Sequence, residues 1–178
     1  MTITLAIDTS TSRTCVAVIE GSEILWSGFR DGATAHGPAL PELVQEAIKG
    51  IEINEVVVGM GPGPFTGLRV GIAFAQSFAL ARNIPIRGVC SLDAIAAQIN
   101  ERDFIVTVDA RRKEVYWARY INGVRQGEPA VNFPSDVTGA PIYADLFPNL
   151  VSLTKLPENI TEPIYLRRPD AVATAERK

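Results

Sequence analysis

Two stretches of this chain read alike, and the likeness limits its possible folds more than any other feature. Ile105-Val106-Thr107-Val108-Asp109 repeats Thr4-Leu5-Ala6-Ile7-Asp8 as a short apolar run ending in an aspartate. Further on, Ile121-Asn122-Gly123 repeats Ile19-Glu20-Gly21 as the turn after the next strand, at nearly the same offset. The first copy belongs to a run of three predicted strands, Ile3–Ile7, Cys15–Ile19 and Ile24–Trp26, the last two joined by a Gly-containing turn of hairpin length. A duplicated antiparallel meander implies two related lobes, and the boundary falls between residues 1–102 and 103–178.

Between the copies the pattern alternates. Pro38 and Pro41 suit the first turn of a helix that carries Leu40, Leu43, Val44, Ala47 and Ile48 and stops near Gly50. A strand over Glu55–Met60, a helix from about Leu68 to Arg82, a strand over Ile86–Cys90 and a helix capped by Ser91 and bearing Leu92, Ile95 and Ile99 follow. The order β-β-β-α-β-α-β-α predicts an α/β protein with mixed sheets flanked by helices. After the aromatic-rich strand Val115–Tyr120, prolines at 129, 134, 141, 148, 157, 163 and 169 break the chain into short pieces, so the second lobe reads as reduced.

The Gly/Pro turn Gly61-Pro62-Gly63-Pro64-Phe65-Thr66-Gly67-Leu68-Arg69-Val70-Gly71 joins a strand to a helix. Gly61, Gly63 and Gly67 permit backbone angles closed to other residues, and Thr66 is placed to cap the helix. As an anion cradle it fits badly. It lacks the Lys of a P-loop, Thr66 stands where a dinucleotide fingerprint has Gly, and Pro62 and Pro64 remove two amide donors. A rigid structural or docking turn is the better reading. The helix after it is apolar on two sides, with Val70, Phe74, Phe78 and Ala81 on one stripe and Leu68, Ile72, Ala75 and Ala79 on the other. Small residues recur at Gly71, Ala75 and Ala79, and both sides need a cover, from the same domain or from a partner.

Candidate chemistry sits at the ends of the repeated strands. Asp8, followed by Thr9, Ser10, Thr11 and Ser12, suits either a nucleotide-phosphate cradle or a self-capped turn. Asp109 with Arg111, Arg112, Lys113 and Glu114 suits either an anion clamp or a solvated loop. A carboxylate pair formed by Asp8 and Asp109 across an interlobe cleft is a further option, whereas a nucleophile elbow is absent. His36 is the only histidine, which argues against zinc. Cys15 and Cys90 read as reduced core residues. With 47% hydrophobic and 21% charged residues, no membrane-length apolar run and no leader-like N-terminus, the expectation is a soluble cytoplasmic protein. The net charge of −3 argues against broad capture of nucleic acid by this chain alone.

Taken together, Leu5-Ala6-Ile7-Asp8-Thr9-Ser10, His36 with Leu40-Pro41, the Gly/Pro stretch, Ser91-Leu92, Asp109-Ala110-Arg111 and Glu114-Val115-Tyr116 resemble the bacterial TsaB (YeaZ) family. The Gly/Pro stretch is close to that family's GPGSFTGLRIG signature, with Pro64 where Ser is usual, and Pro163–Pro169 resembles its C-terminal segment. The resemblance implies an actin-like (ASKHA, ribonuclease H-like) two-lobe fold. It also implies a non-catalytic subunit of the machinery that installs threonylcarbamoyl on N6 of tRNA adenosine 37, in place of the protease activity that older family names suggest. Implied partners are a TsaD-like catalytic paralogue, a TsaE-like ATPase, a second copy when the paralogue is absent, and tRNA through the complex.

Carried onto this sequence, the partner contact takes Leu40, Leu43, Val44 and Ala47 from one helix and Leu68, Gly71, Ile72, Ala75 and Ala79 from the other. No cofactor is required on this reading. ATP or ADP held weakly at the lobe cleft or the partner interface is the candidate, with Asp8, Thr9, Ser10, Gly61, Gly63, Thr66, Asp109 and Arg111 as the residues to hold it. The short second lobe departs from the family and bears on any such cleft. Two rival expectations stand beside this one. One is a stand-alone nucleotide-binding ATPase or kinase-like enzyme on the same fold; the other is a direct tRNA-binding module using Arg111, Arg112, Lys113, Arg167 and Arg168.

Overall fold

A computed structural model describes residues 2–167. The first sheet has the order β3-β2-β1-β4-β5, built from β1 (Ile3–Asp8), β2 (Arg13–Glu20), β3 (Glu23–Asp31), β4 (Glu55–Gly59) and β5 (Ile86–Val89). β1 pairs antiparallel with β2 and parallel with β4, and β5 continues the parallel part. The three-strand meander expected from sequence is present. β3 extends well beyond the expected Ile24–Trp26, because its outer residues are exposed and carry no apolar alternation for a sequence reading to follow.

Side chains alternate across this sheet. Leu5, Ile7, Val16, Val18, Val56 and Val58 face α1 (His36–Ala47) and α2 (Phe65–Arg82), whereas Ala6, Ala17, Ile19, Val57 and Val89 face the opposite way. Both faces are covered, which explains the unbroken apolar runs of β1 and β4. The second sheet repeats the scheme. β6 (Asp103–Asp109) pairs antiparallel with β7 (Val115–Ile121) and parallel with β10 (Ile142–Tyr143), as β1 does with β2 and β4. β8 (Val124–Arg125) and β9 (Ala130–Asn132) complete it along β7.

The two halves exchange their covers. α3 (Ser91–Ala96) lays Leu92 and Ile95 on Phe104, Val106, Ala118 and Tyr120 of the second sheet. In return α4 (Leu150–Lys155) sends Leu153 onto Ala6, Ala17, Val57 and Val89 of the first. Cys15 and Cys90 are free and buried, as read from sequence. Among the described residues, no helix is long and apolar enough to cross a membrane.

The structure corrects several local expectations. α2 begins at Phe65, with Pro64 in the capping position at φ −58° and ψ 131°, so Thr66 lies inside the first turn and caps nothing. α3 is likewise preceded by Cys90, and Ser91 sends its hydroxyl to Asp8 instead of to a helix end. α1 starts two residues before Pro38 and takes Pro41 into its body.

The largest correction concerns the two stripes of α2. Leu40, Leu43, Val44 and Ala47 of α1, with Leu68, Gly71, Ile72, Ala75 and Ala79 of α2, are all buried within this chain. They form its own core against the sheet, so they do not form a surface for a partner. The outward side of α2 is the other stripe, with Val70, Phe74 and Phe78 half-buried, Ala73, Ser77 and Ala81 exposed, and Leu80 83% exposed. Ala75→Glu is therefore expected to destabilise the fold, by on the order of 4 kcal/mol for an unpaired buried charge. Urea unfolding of the variant measures this.

Candidate functional site

The loop after β1 and the turn before α2 are built into each other. Asp8 ends β1 with no exposure, and Ser10 donates to its Oδ1 from the backbone nitrogen at 2.8 Å and from the hydroxyl at 2.7 Å. Ser91 donates its hydroxyl to Asp8 Oδ2 at 2.6 Å and accepts from the Gly61 nitrogen at 3.3 Å. Thr9 donates to the Gly67 carbonyl at 2.8 Å. Thr14 Oγ1 and His36 Nδ1 lie 2.8 Å apart beneath this layer.

Space explains the glycines better than backbone freedom does. Of Gly61, Gly63 and Gly67, only Gly61 has a positive φ, at 93°. A Cβ at Gly63 would lie 2.4 Å from the Ser10 carbonyl oxygen, and one at Gly71 would lie 2.2 Å from Thr9 Oγ1. At Gly59 it would lie 1.9 Å from Asp8 Oδ2, and at Gly67 3.0 Å from the His36 ring. Gly67 and Gly71 are one helical turn apart, so they clear a single channel for Thr9 along the helix.

These contacts decide how the anion-site residues are used. Asp8, Thr9, Ser10, Gly61 and Gly63 are brought together as expected, but they fill one another's space and satisfy one another's hydrogen bonds. Thr66 is exposed on the first turn of α2. Asp109 and Arg111 lie on the loop after β6 of the second lobe, where Asp109 is exposed and accepts from the Arg111 nitrogen at 2.9 Å. Asp8 is buried and bonded by Ser10 and Ser91 whereas Asp109 is exposed, so the two carboxylates occupy unlike environments.

Burial drives the electrostatics. It pushes the Asp8 pKa up from 3.8, against the hydrogen bonds from Ser91 and Ser10 and the attraction of His36. Burial pushes the His36 pKa down, with Asp8 opposing and Arg111 adding to the effect. Among the described residues, no group of three or more His, Cys, Asp or Glu side chains comes together as a metal site would need.

A strap after α4 is the part that sequence reasoning missed. The Ile160 nitrogen donates to Gly88, and Ile164 to Met60 at 2.8 Å, laying the strap along β5 and β4. Arg87 holds the carbonyls of Thr154, Leu156 and Glu158. Glu158 accepts from the Cys90 nitrogen and pairs with Arg125, which also faces Asp93. Burial raises the Asp93 pKa to about 6. Beyond this, Tyr165 packs its ring against Phe65 at a tilt of 40°, and Arg167 pairs with Glu114 and donates to the Ala110 carbonyl. The likeness of Pro163–Pro169 to a family segment was the one signal in the sequence, and Arg168 and Pro169 lie outside the described residues.

Duplicated meanders, mixed sheets and exchanged helical covers define a two-lobed α/β protein of the actin-like (ASKHA) class. Residues 30–142 match the family model described as TsaD: tRNA N6-adenosine threonylcarbamoyltransferase. The chain belongs to this family and is TsaB/YeaZ-like within it. An uncharacterized protein of Mycobacterium tuberculosis is 40% identical, with 94% of this chain and 92% of that protein aligned. The tRNA threonylcarbamoyladenosine biosynthesis protein TsaB of Escherichia coli is 34% identical over 70% of this chain. The match spans 58% of the length of that TsaB. Among solved structures, YeaZ from Pseudomonas aeruginosa superposes with a TM-score of 0.74 at 25% identity, covering 87% of this chain and 90% of that one.

Two predictions test the interlock. Gly71→Ala is expected to destabilise by about 1–3 kcal/mol of overpacking, against about 1 kcal/mol of gained helix propensity. Thr9→Ala in the same chain is expected to recover part of the loss, which a double-mutant cycle in urea reads as coupling.

The second prediction concerns pH. The folded chain binds the Asp8 proton more tightly than the unfolded chain does, so stability is expected to fall as pH rises from about 3.8 through the raised folded pKa. Asp8→Asn is expected to abolish that fall. Unfolding free energies of the two proteins, compared across pH, decide it.

Proposed function

We propose that this chain acts in tRNA threonylcarbamoyladenosine biosynthesis as the non-catalytic subunit that docks and orders a TsaD-like catalytic paralogue for modification of adenosine 37. The observation that carries the reading is the outward stripe of α2, where half-buried Val70, Phe74 and Phe78 lie beside exposed Ala73, Ser77 and Leu80. Apolar side chains left partly open along a helix, beyond what the chain's own core covers, suit a protein partner. The state of Asp8 supports the non-catalytic part. This carboxylate has no exposure, and its Oδ1 already accepts two bonds from Ser10 and its Oδ2 one from Ser91. The names of the curated relatives support the pathway.

On this reading the same face takes a second copy when the paralogue is absent, and a TsaE-like ATPase joins the assembled pair. tRNA reaches the chain through the complex, in the cytoplasm. No cofactor is needed for docking.

Ala73→Glu places a charge at the centre of the outward stripe without entering the core. The variant is expected to fold as the parent does and to lose pairing with the catalytic paralogue by tenfold or more, because the charge would be desolvated in an apolar seam. Size exclusion with light scattering on the mixture, beside thermal unfolding of the variant, measures both. Undiminished pairing would remove α2 from the interface.

A further inference from the structure

The surface where the strap crosses from the first lobe to the second takes no part in the interlock or in the proposed docking stripe. Tyr165, 41% exposed, packs against half-buried Phe65 with ring centroids 5.0 Å apart and the rings tilted by 40°. Arg69, exposed one helical turn beyond Phe65, holds its guanidinium 5.2 Å from the Phe65 ring. Two residues after Tyr165, at most about 7 Å of extended chain, Arg167 is fastened to Glu114 and to the Ala110 carbonyl. The strap thereby joins the aromatic pair to the loop that carries Arg111, Arg112 and Lys113.

That loop has an unusual shape. Its three cationic residues are exposed and stand in succession at φ 62°, 56° and 64°, in the left-handed region. Each such residue costs on the order of 1 kcal/mol. The conformation is held by Asp109 accepting from the Arg111 nitrogen at 2.9 Å, Ala110 donating to the Glu114 carbonyl at 2.9 Å, and Glu114 donating to Arg111 at 3.0 Å. In a chain of net charge −3, Arg111, Arg112 and Lys113 set three cations in succession on one loop, which Arg167 ties to the strap.

We propose that this surface is a track for single-stranded RNA, with one base stacked on Tyr165 and Phe65 and flanking phosphates held by Arg69 on one side and the Arg111–Lys113 loop on the other. An exposed ring between cations accepts an unstacked base of any identity, and a duplex hides the base faces it needs. Phosphate contacts from a few cations give local, salt-dependent affinity even where the whole protein is acidic. The choice of RNA over DNA rests on the proposed place in a tRNA-modifying assembly; the stacking site and its cations do not.

The test is fluorescence anisotropy of a labelled single-stranded 12-mer RNA, its duplex and an intact tRNA across a potassium chloride series. It is run on the chain alone and on its complex with the catalytic paralogue. Tyr165→Ala is expected to weaken single-strand binding about five- to 150-fold, and Tyr165→Trp to retain it. The double variant Arg111→Gln with Lys113→Gln is expected to lower the log–log salt slope by about 0.7 for each phosphate that it leaves unneutralised. It also keeps the test open should Tyr165→Ala fail to fold. Unchanged binding by Tyr165→Ala, an unchanged slope, duplex bound as tightly as single strand, or no RNA binding would each overturn the inference. Pairing with the paralogue is read separately. Pairing without RNA binding overturns this inference alone, and RNA binding without pairing overturns the docking reading alone.

Discussion

The structure depends on the interlock between the loop that follows β1 and the glycines that surround it. Asp8, Thr9 and Ser10 enter spaces that exist because positions 59, 63 and 71 carry no side chain. Their polar atoms then find partners in Ser91, in the Gly67 carbonyl and in one another. Those bonds are what allow a carboxylate and two hydroxyls to lie in the interior, since unmade hydrogen bonds at such depth cost more than made ones gain. The result fixes β1, the start of α2 and the start of α3 to a single point. The aim of α2, and so the direction of its outward stripe, follows from that point.

The duplicated loops have taken opposite courses from the same topological position. Each follows the first strand of its sheet, where that strand pairs antiparallel with the next and parallel with a later one. In the first lobe the loop is short of charge, rich in hydroxyls and turned inward. In the second it carries three cations in succession and is turned to water. The first loop is closed by contacts within the chain, while the second is left open.

Much of this was legible in the sequence because it is written in patterns that backbone geometry enforces. The repeat of Ile105–Asp109 on Thr4–Asp8 carried the two meanders, and the apolar runs of β1 and β4 carried a sheet covered on both faces. The two stripes of α2 were both visible, but periodicity cannot say which one the sheet takes, and the stripe holding Ala75 and Ala79 went to the core. Small residues let a helix approach a sheet as closely as they let it approach a partner helix. Thr66 and Ser91 looked like caps because hydroxyl residues at helix starts often are; a proline conformation and a buried carboxylate decided otherwise. The strap was legible only in the likeness of Pro163–Pro169 to a family segment. Its hold on β5 runs through backbone atoms and through Arg87, which no side-chain pattern announces.

The strap also explains how a small second lobe can be held in a definite place. Arg87 on β5, Glu158 on the strap, Arg125 on β8 and Asp93 on α3 form one chain of contacts that belongs to both lobes. Tyr120 closes it by donating to Asp93 at 2.6 Å. Partly buried charges of this sort contribute little net stability, because desolvation offsets their attraction, yet they penalise any arrangement that separates them. They therefore act on geometry more than on stability. With the cover helices exchanged and this network at the seam, the strap runs from Phe65 of the first lobe, through Tyr165, to the loop of the second lobe that Arg167 holds by Glu114 and the Ala110 carbonyl.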